Sequence, residues 1–212
     1  MPDASGSSGA TPSSPFRRVC VFCGSSSGRD PAYEAAAAAT GTALASRGIV
    51  TVYGGGSAGL MGALATAALA AGGQVIGVLP TGLFPDGVTA TPLRDGHPGS
   101  IEILEVPDMH ARKAQFHALA DAYVVLPGGL GTLEEMAEVA TWAQIGLHES
   151  PIGFFDVNGY FGSLLDWVDR AVDDGFLKPS NRDALVRASD IDDLLDRLAE
   201  REPDRSSKWI DR

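Results

Sequence analysis

The chain has 212 residues, 44% of them hydrophobic and 20% charged, which suits one compact domain with a sizeable core. A formal net charge of −11 and a pI near 4.6 exclude a polyanionic nucleic acid as the main partner, because no basic stripe offsets phosphate repulsion. No uninterrupted apolar run is long enough to span a bilayer, so no membrane partner is expected either.

Residues 1–15, MPDASGSSGATPSSP, have no periodicity and too little apolar surface to offset the entropy of ordering. They are predicted to form a disordered tail. They carry neither the basic start nor the apolar stretch of a secretory signal, so the expected location is cytoplasmic. A single catalytic domain is predicted over 16–202, followed by a polar tail over 203–212. Within the domain, VCVF (19–22), IVTVY (49–53), QVIGVL (74–79), IEILEV (101–106), AYVVL (122–126) and PIGFFDV (151–157) read as buried parallel strands. Helical patterns near 31–47, 59–72, 108–120, 131–147, 160–174 and 190–201 alternate with them. The expectation is a Rossmann-like, doubly wound α/β fold, a mostly parallel sheet with helices on both faces. Segment 81–100, rich in turn formers, reads as an irregular loop at the ligand edge of that sheet and a potential lid. Cys20 and Cys23 have CxxC spacing, but they sit in a strand-like run with no second pair, so two reduced strand cysteines are expected.

Three glycine turns follow strands at one sheet edge. They are GSSSG (24–28, with Gly24 and Ser25), GGGSAG (54–59, with Gly55 and Gly56) and PGGLG (127–131, with Gly128, Gly129, Leu130 and Gly131). Any one could be an ordinary tight turn; three together suit close approach of the main chain to a phosphate, with helix N-terminal N–H groups behind it.

The usual nucleotide chemistries fit poorly. GGGSAG has GxGxxG spacing, yet no Asp or Glu occurs between Glu34 and Asp86 to hold a ribose, and no glycine precedes a Lys-Ser/Thr pair. His97, His110, His117 and His148 show no HExxH spacing, so no metal site is expected. Two residues stand out instead. At 100° per residue, Met109, Phe116, Leu119 and Ala120 share a helical stripe, and Arg112 lies within it, aimed at the core. Its anionic partner is either a structural carboxylate or a ligand's phosphate or ribose; Lys113 lies at the stripe's edge. Glu135 stands three residues after Thr132, the spacing of a capping box. It equally suits a carboxylate facing the positive charge that develops on a sugar during glycosidic cleavage. Both readings stay open at this point.

PDMHARK, LPGGLGTLEE and EVATWAQIGLH, together with VFCGSSSG, VYGGGSAGLMGALA and PIGFFDVNGYFGSLLDWVDRAVDDGFL, resemble the signature blocks of the Lonely Guy family over most of residues 18–200. The resemblance implies a cofactor-free homodimer that hydrolyses the N-glycosidic bond of a cytokinin riboside 5′-monophosphate, or of AMP, to free base and ribose 5-phosphate. By motif position it places the catalytic pair on Arg112 and Glu135. It places substrate contacts on Lys113, on Gly129 to Glu134 through Leu130, Gly131, Thr132 and Leu133, and on Thr141, with Met109, Gly128 and the Gly24, Ser25, Gly55 and Gly56 turns around them. Leu130 stands where relatives commonly carry tyrosine, and Phe116 where they carry methionine. The alternatives are a nucleotide or molybdenum-cofactor carrier, and an idle nucleotide sensor. The older lysine decarboxylase label would need pyridoxal phosphate and a Schiff-base lysine, with only Lys113, Lys178 and Lys208 available.

Overall fold

In the computed structural model, which describes residues 14–82, 93 and 96–201, seven strands form one parallel sheet. In chain order the elements are β1 (Arg18–Phe22), α1 (Pro31–Ser46), β2 (Val50–Tyr53), α2 (Gly59–Ala70), β3 (Gln74–Pro80), β4 (Ser100–Val106), α3 (Met109–Leu119), β5 (Ala122–Val125), α4 (Leu130–Gln144), β6 (Ile152–Phe155), α5 (Gly162–Asp173), α6 (Pro179–Asp183), β7 (Leu185–Ala188) and α7 (Ile191–Ala199). The predicted tails and the 81–100 loop lie largely outside the described residues.

The two layers of core follow from the period-2 geometry of the strands. Val19 and Val21 of β1 and Cys23 just after it face one side with Ala122 and Val124, against α1, α2 and α7. Cys20, Phe22, Tyr123 and Val125 face the other, against Phe116 of α3, Met136 and Val139 of α4, and Leu165 and Val168 of α5. Both cysteines are buried free thiols, and burial pushes both above the ordinary thiol range, so they are inert packing residues rather than a redox pair.

The strand order is β4-β3-β2-β1-β5-β6-β7. Connections run outward in opposite directions from β1 and β5, so the crevice of this doubly wound sheet opens beyond the carboxyl ends of those two strands. Two of the three glycine turns begin there, after β1 and β5, and the third follows the adjacent β2. The strand β7 and the short helix α6 were not anticipated. LVRA is only four residues long and carries an exposed Arg187, and a short edge strand has little pattern to read.

Candidate active site

The helix α3 starts from Asp108, whose Oδ1 accepts the Ala111 N–H at 2.8 Å. That cap sets the helix phase, and its buried residues are Arg112 and Phe116. Arg112, 7% exposed, is the charged residue on the core stripe. Its guanidinium is fixed on three sides: Nε donates to Val78 O at 3.1 Å, Nη2 to Gly54 O at 3.4 Å, and Nη1 to Glu135 Oε1 at 2.8 Å. It also lies 4.9 Å from the Phe116 ring centroid. A planar fork is needed to meet three acceptors in different directions, which a lysine ammonium on a flexible stem does not match.

Glu135 is no helix cap. The helix α4 begins at Leu130 with Gly129 as N-cap, so Thr132 lies inside the first turn and the capping-box spacing is out of phase with the true helix start. Thr132 is instead buried beneath Gly128, where an added Cβ would come within 2.1 Å of the threonine Oγ1. Freed from capping, Glu135 turns to Arg112. Burial raises its carboxyl above the ordinary value, with Arg112 opposing and Glu134 adding to the rise.

The N-terminus of α4 has no side-chain cap, and neither has that of α2, which starts after the second glycine turn. By contrast α1, α3 and α7 each begin from a capping aspartate. Among the described residues, the first N–H groups of α4, on Leu130, Gly131 and Thr132, therefore have neither an intrahelical nor a side-chain acceptor. The turn ahead of them is pinned by Gly24 N–H donating to Pro127 O at 3.0 Å. Added Cβ atoms at Gly129 and Gly131 would meet nothing within 4 Å among the described residues, which leave this side of the turn open.

The remaining expected contacts distribute unevenly. Lys113 sits beside the pair, but its Nζ is bound to Glu134 Oε1 and Glu138 Oε2, each at 2.6 Å, so Lys113 and Glu134 are partners of one another. Met109, Leu130 and Leu133 are exposed apolar residues at the starts of α3 and α4, Leu130 at 85%. Thr141 is exposed three turns along α4, its hydroxyl donating to Ala137 O at 2.7 Å. Gly55, at φ 76°, and Gly56 are pressed against Leu79 and Met61. Gly24 and Ser25 line a cleft of about 260 Å³ with Ser26, Ser27, Tyr33 and Tyr160. Sequence reasoning missed the two tyrosines, Glu138, and the carbonyls of Val78 and Gly54, none of which belongs to a local pattern. Among the described residues no group of three or more His, Cys, Asp or Glu is placed to hold a metal ion, and no helix is long and apolar enough to cross a membrane.

A family model described as possible lysine decarboxylase matches residues 61–198. Among relatives in sequence, the cytokinin riboside 5′-monophosphate phosphoribohydrolase LOG7 of Arabidopsis thaliana is 47% identical over 189 residues, 89% of this chain and 84% of the relative. The probable cytokinin riboside 5′-monophosphate phosphoribohydrolase LOGL9 of Oryza sativa subsp. japonica is 49% identical over 92% of this chain and 83% of its own length. Among solved structures, a molybdenum cofactor binding protein from Rippkaea orientalis superposes with a TM-score of 0.63 at 20% identity, covering 86% of this chain and 95% of that one. A Moco carrier protein from Chlamydomonas reinhardtii does so with 0.61 at 20%, covering 86% and 97%. At that identity the structural neighbours speak for the fold alone. The sequence matches speak for more: the chain belongs to the Lonely Guy family of cytokinin riboside 5′-monophosphate phosphoribohydrolases.

Proposed function

We propose that the chain hydrolyses the N-glycosidic bond of a cytokinin riboside 5′-monophosphate, and of AMP, releasing the free base and ribose 5-phosphate. The observation that carries the reading is the buried Arg112–Glu135 pair at 2.8 Å, set beside the uncapped N-terminus of α4. Cleavage sends the C1′–N bonding pair to the base and leaves a cationic sugar. A carboxylate in a water-poor recess stabilises that cation more strongly than one in bulk solvent. Glu135 then takes a proton from the water that adds to C1′, and this proton ends on the departing base. Arg112 holds the carboxylate in place and contributes positive charge toward the phosphate side of the substrate. The main-chain N–H groups of Leu130, Gly131 and Thr132 take the 5′-phosphate, with the α4 dipole behind them.

This chemistry needs no Schiff-base lysine. Lys113, the lysine beside the pair, is held by two carboxylates that raise its pKa, the reverse of what an amine nucleophile requires. We also propose that two copies associate, as the family resemblance implies; the exposed Leu130, Leu133 and Leu147 give apolar surface for it, and light scattering would report the mass. The test of the activity is incubation of the purified protein with AMP and with isopentenyladenosine monophosphate, followed by chromatography for free base and ribose 5-phosphate. Release from either supports the hydrolase; binding without release from any nucleoside monophosphate would leave a carrier or sensor.

A further inference from the structure

From the geometry of the loop after β6, we infer that Tyr160 is a positioning residue that orients the peptide between Gly128 and Gly129 for the substrate's 5′-phosphate. Its phenolic Oη donates to Gly128 O at 2.5 Å, although the two residues are 32 positions apart. The peptide is trans, so fixing the Gly128 carbonyl on the tyrosine fixes the Gly129 N–H in the opposite direction. That direction leads away from the phenol. It matters because a Gly-Gly peptide has the weakest intrinsic preference of any for one orientation: Gly128 is packed against Thr132 and Gly24, but among the described residues nothing lies within 4 Å of where a Cβ of Gly129 would stand.

The tyrosine is itself held for the task. Asn158 and Gly159 are both left-handed, at φ 54° and 72°, and Asn158 is the sole non-glycine residue with positive φ among the described residues. Such a conformation in a non-glycine residue persists where its surroundings over-determine it. Here Asn158 Nδ2 donates to Asp30 Oδ2 at 3.0 Å, while Asp30 Oδ1 accepts the Ala32 N–H at 2.9 Å and caps α1. The Tyr160 ring packs edge-on against Tyr33, with centroids 5.6 Å apart, and against Phe161 at 5.1 Å. A chain of contacts thus runs from the start of α1, through a left-handed turn, to the carbonyl of one glycine. No packing need of the core explains it, because Tyr160 is exposed.

The inference rests on the phosphate subsite proposed above, and its test separates the two. Tyr160→Phe keeps the ring contacts and removes only the hydroxyl, so its melting temperature should stay close to that of the wild type. Calorimetry with AMP, ribose 5-phosphate and adenosine is the readout. The variant should bind both phosphorylated ligands about tenfold more weakly and adenosine within about twofold of wild type, the loss of one hydrogen bond's orienting effect. In turnover, KM for AMP should rise by the same factor while kcat changes by less than about threefold. Equal weakening of AMP and adenosine, or no change in either, overturns the role of Tyr160, as does a wild type that binds neither phosphorylated ligand. A wild type that binds AMP without releasing adenine sinks the hydrolase reading alone, because a selective loss of phosphate binding in Tyr160→Phe still supports the positioning role.

Discussion

Arg112 Nη1 and Glu135 Oε1 lie 2.8 Å apart although they are 23 positions apart in the chain, and both side chains are almost wholly buried. Two ions taken out of water cost several kcal/mol each, which their mutual attraction does not reliably recover. A pair that merely held α3 to α4 would be replaceable by apolar residues, so its placement at the ligand edge of the sheet points to chemistry.

Replacing Glu135 by Gln keeps the shape and a hydrogen-bond acceptor for Arg112 but removes the charge. Base release should fall by at least about 10²-fold, with AMP affinity within a few-fold of wild type. Single-turnover assays beside calorimetry check it, and undiminished turnover would remove Glu135 from the mechanism.

Replacing Arg112 by Lys keeps the charge and loses the fork. The carbonyls of Val78 and Gly54 lose their shared donor, and Glu135 loses its oriented partner. Urea unfolding should show a loss of about 1–3 kcal/mol, with kcat/KM down more than about tenfold. Full activity in the lysine variant would mean that charge alone suffices.

Much of this site was legible in the sequence because it depends on local periodicity. Arg112 shares a 100° stripe with Phe116, and these two are the buried residues of α3. The glycine turns stood after apolar runs that do become adjacent strands. What failed depended on helix phase or on distant contacts. Thr132 and Glu135 have capping-box spacing, yet the helix starts two residues before Thr132, a matter decided by the strand β5 delivering Gly129 to the edge. Tyr160 reaches Gly128 only because β6 lies beside β5 in the sheet, an adjacency no spacing encodes.

The pH dependence of turnover should carry the mark of Glu135. Burial, the largest cause, lifts its carboxyl above the ordinary value of 4.5, against the pull of Arg112. A base must be ionised, so the acid limb of kcat/KM should have its midpoint above 4.5. The linked stability effect has a definite sign. The folded state holds this proton more tightly than the unfolded chain, so stability falls as pH rises from the ordinary value through the raised one. Denaturation curves over that window should show the slope in wild type and not in Glu135→Gln.

His148 makes an opposite contribution. The Ser150 N–H donates to its Nδ1 at 3.2 Å, so the ring's proton sits on Nε2, which donates to Val139 O at 2.8 Å. Protonation would break the first bond, and burial, the largest cause, lowers the pKa below 6.5. The unfolded chain therefore binds the proton first, and stability present above pH 6.5 is lost as pH falls through the lowered value. His148→Gln should flatten that acid-side loss; an unchanged slope would assign it to other groups.

Gly54→Ala tests whether the second glycine turn serves a ligand or serves Arg112. Gly54 is not among the glycines with positive φ, so φ does not bar alanine there. Its added Cβ, however, would lie 2.4 Å from Arg112 Nη2 and 2.9 Å from Met61 Sδ. The methionine is flexible and can move aside. The guanidinium cannot retreat without breaking its bonds to Val78 O and Glu135 Oε1. The substitution should therefore lower kcat by about tenfold or more through misplacement of the pair, with a loss of stability of about 1–3 kcal/mol from overpacking. Combined with Arg112→Lys, whose slimmer head leaves room for the methyl group, Gly54→Ala should add little further loss, giving a double-mutant coupling above about 0.5 kcal/mol. Additive losses would mean that Gly54 acts independently of Arg112, and would return to GGGSAG the close approach to a phosphate that the three glycine turns together suit.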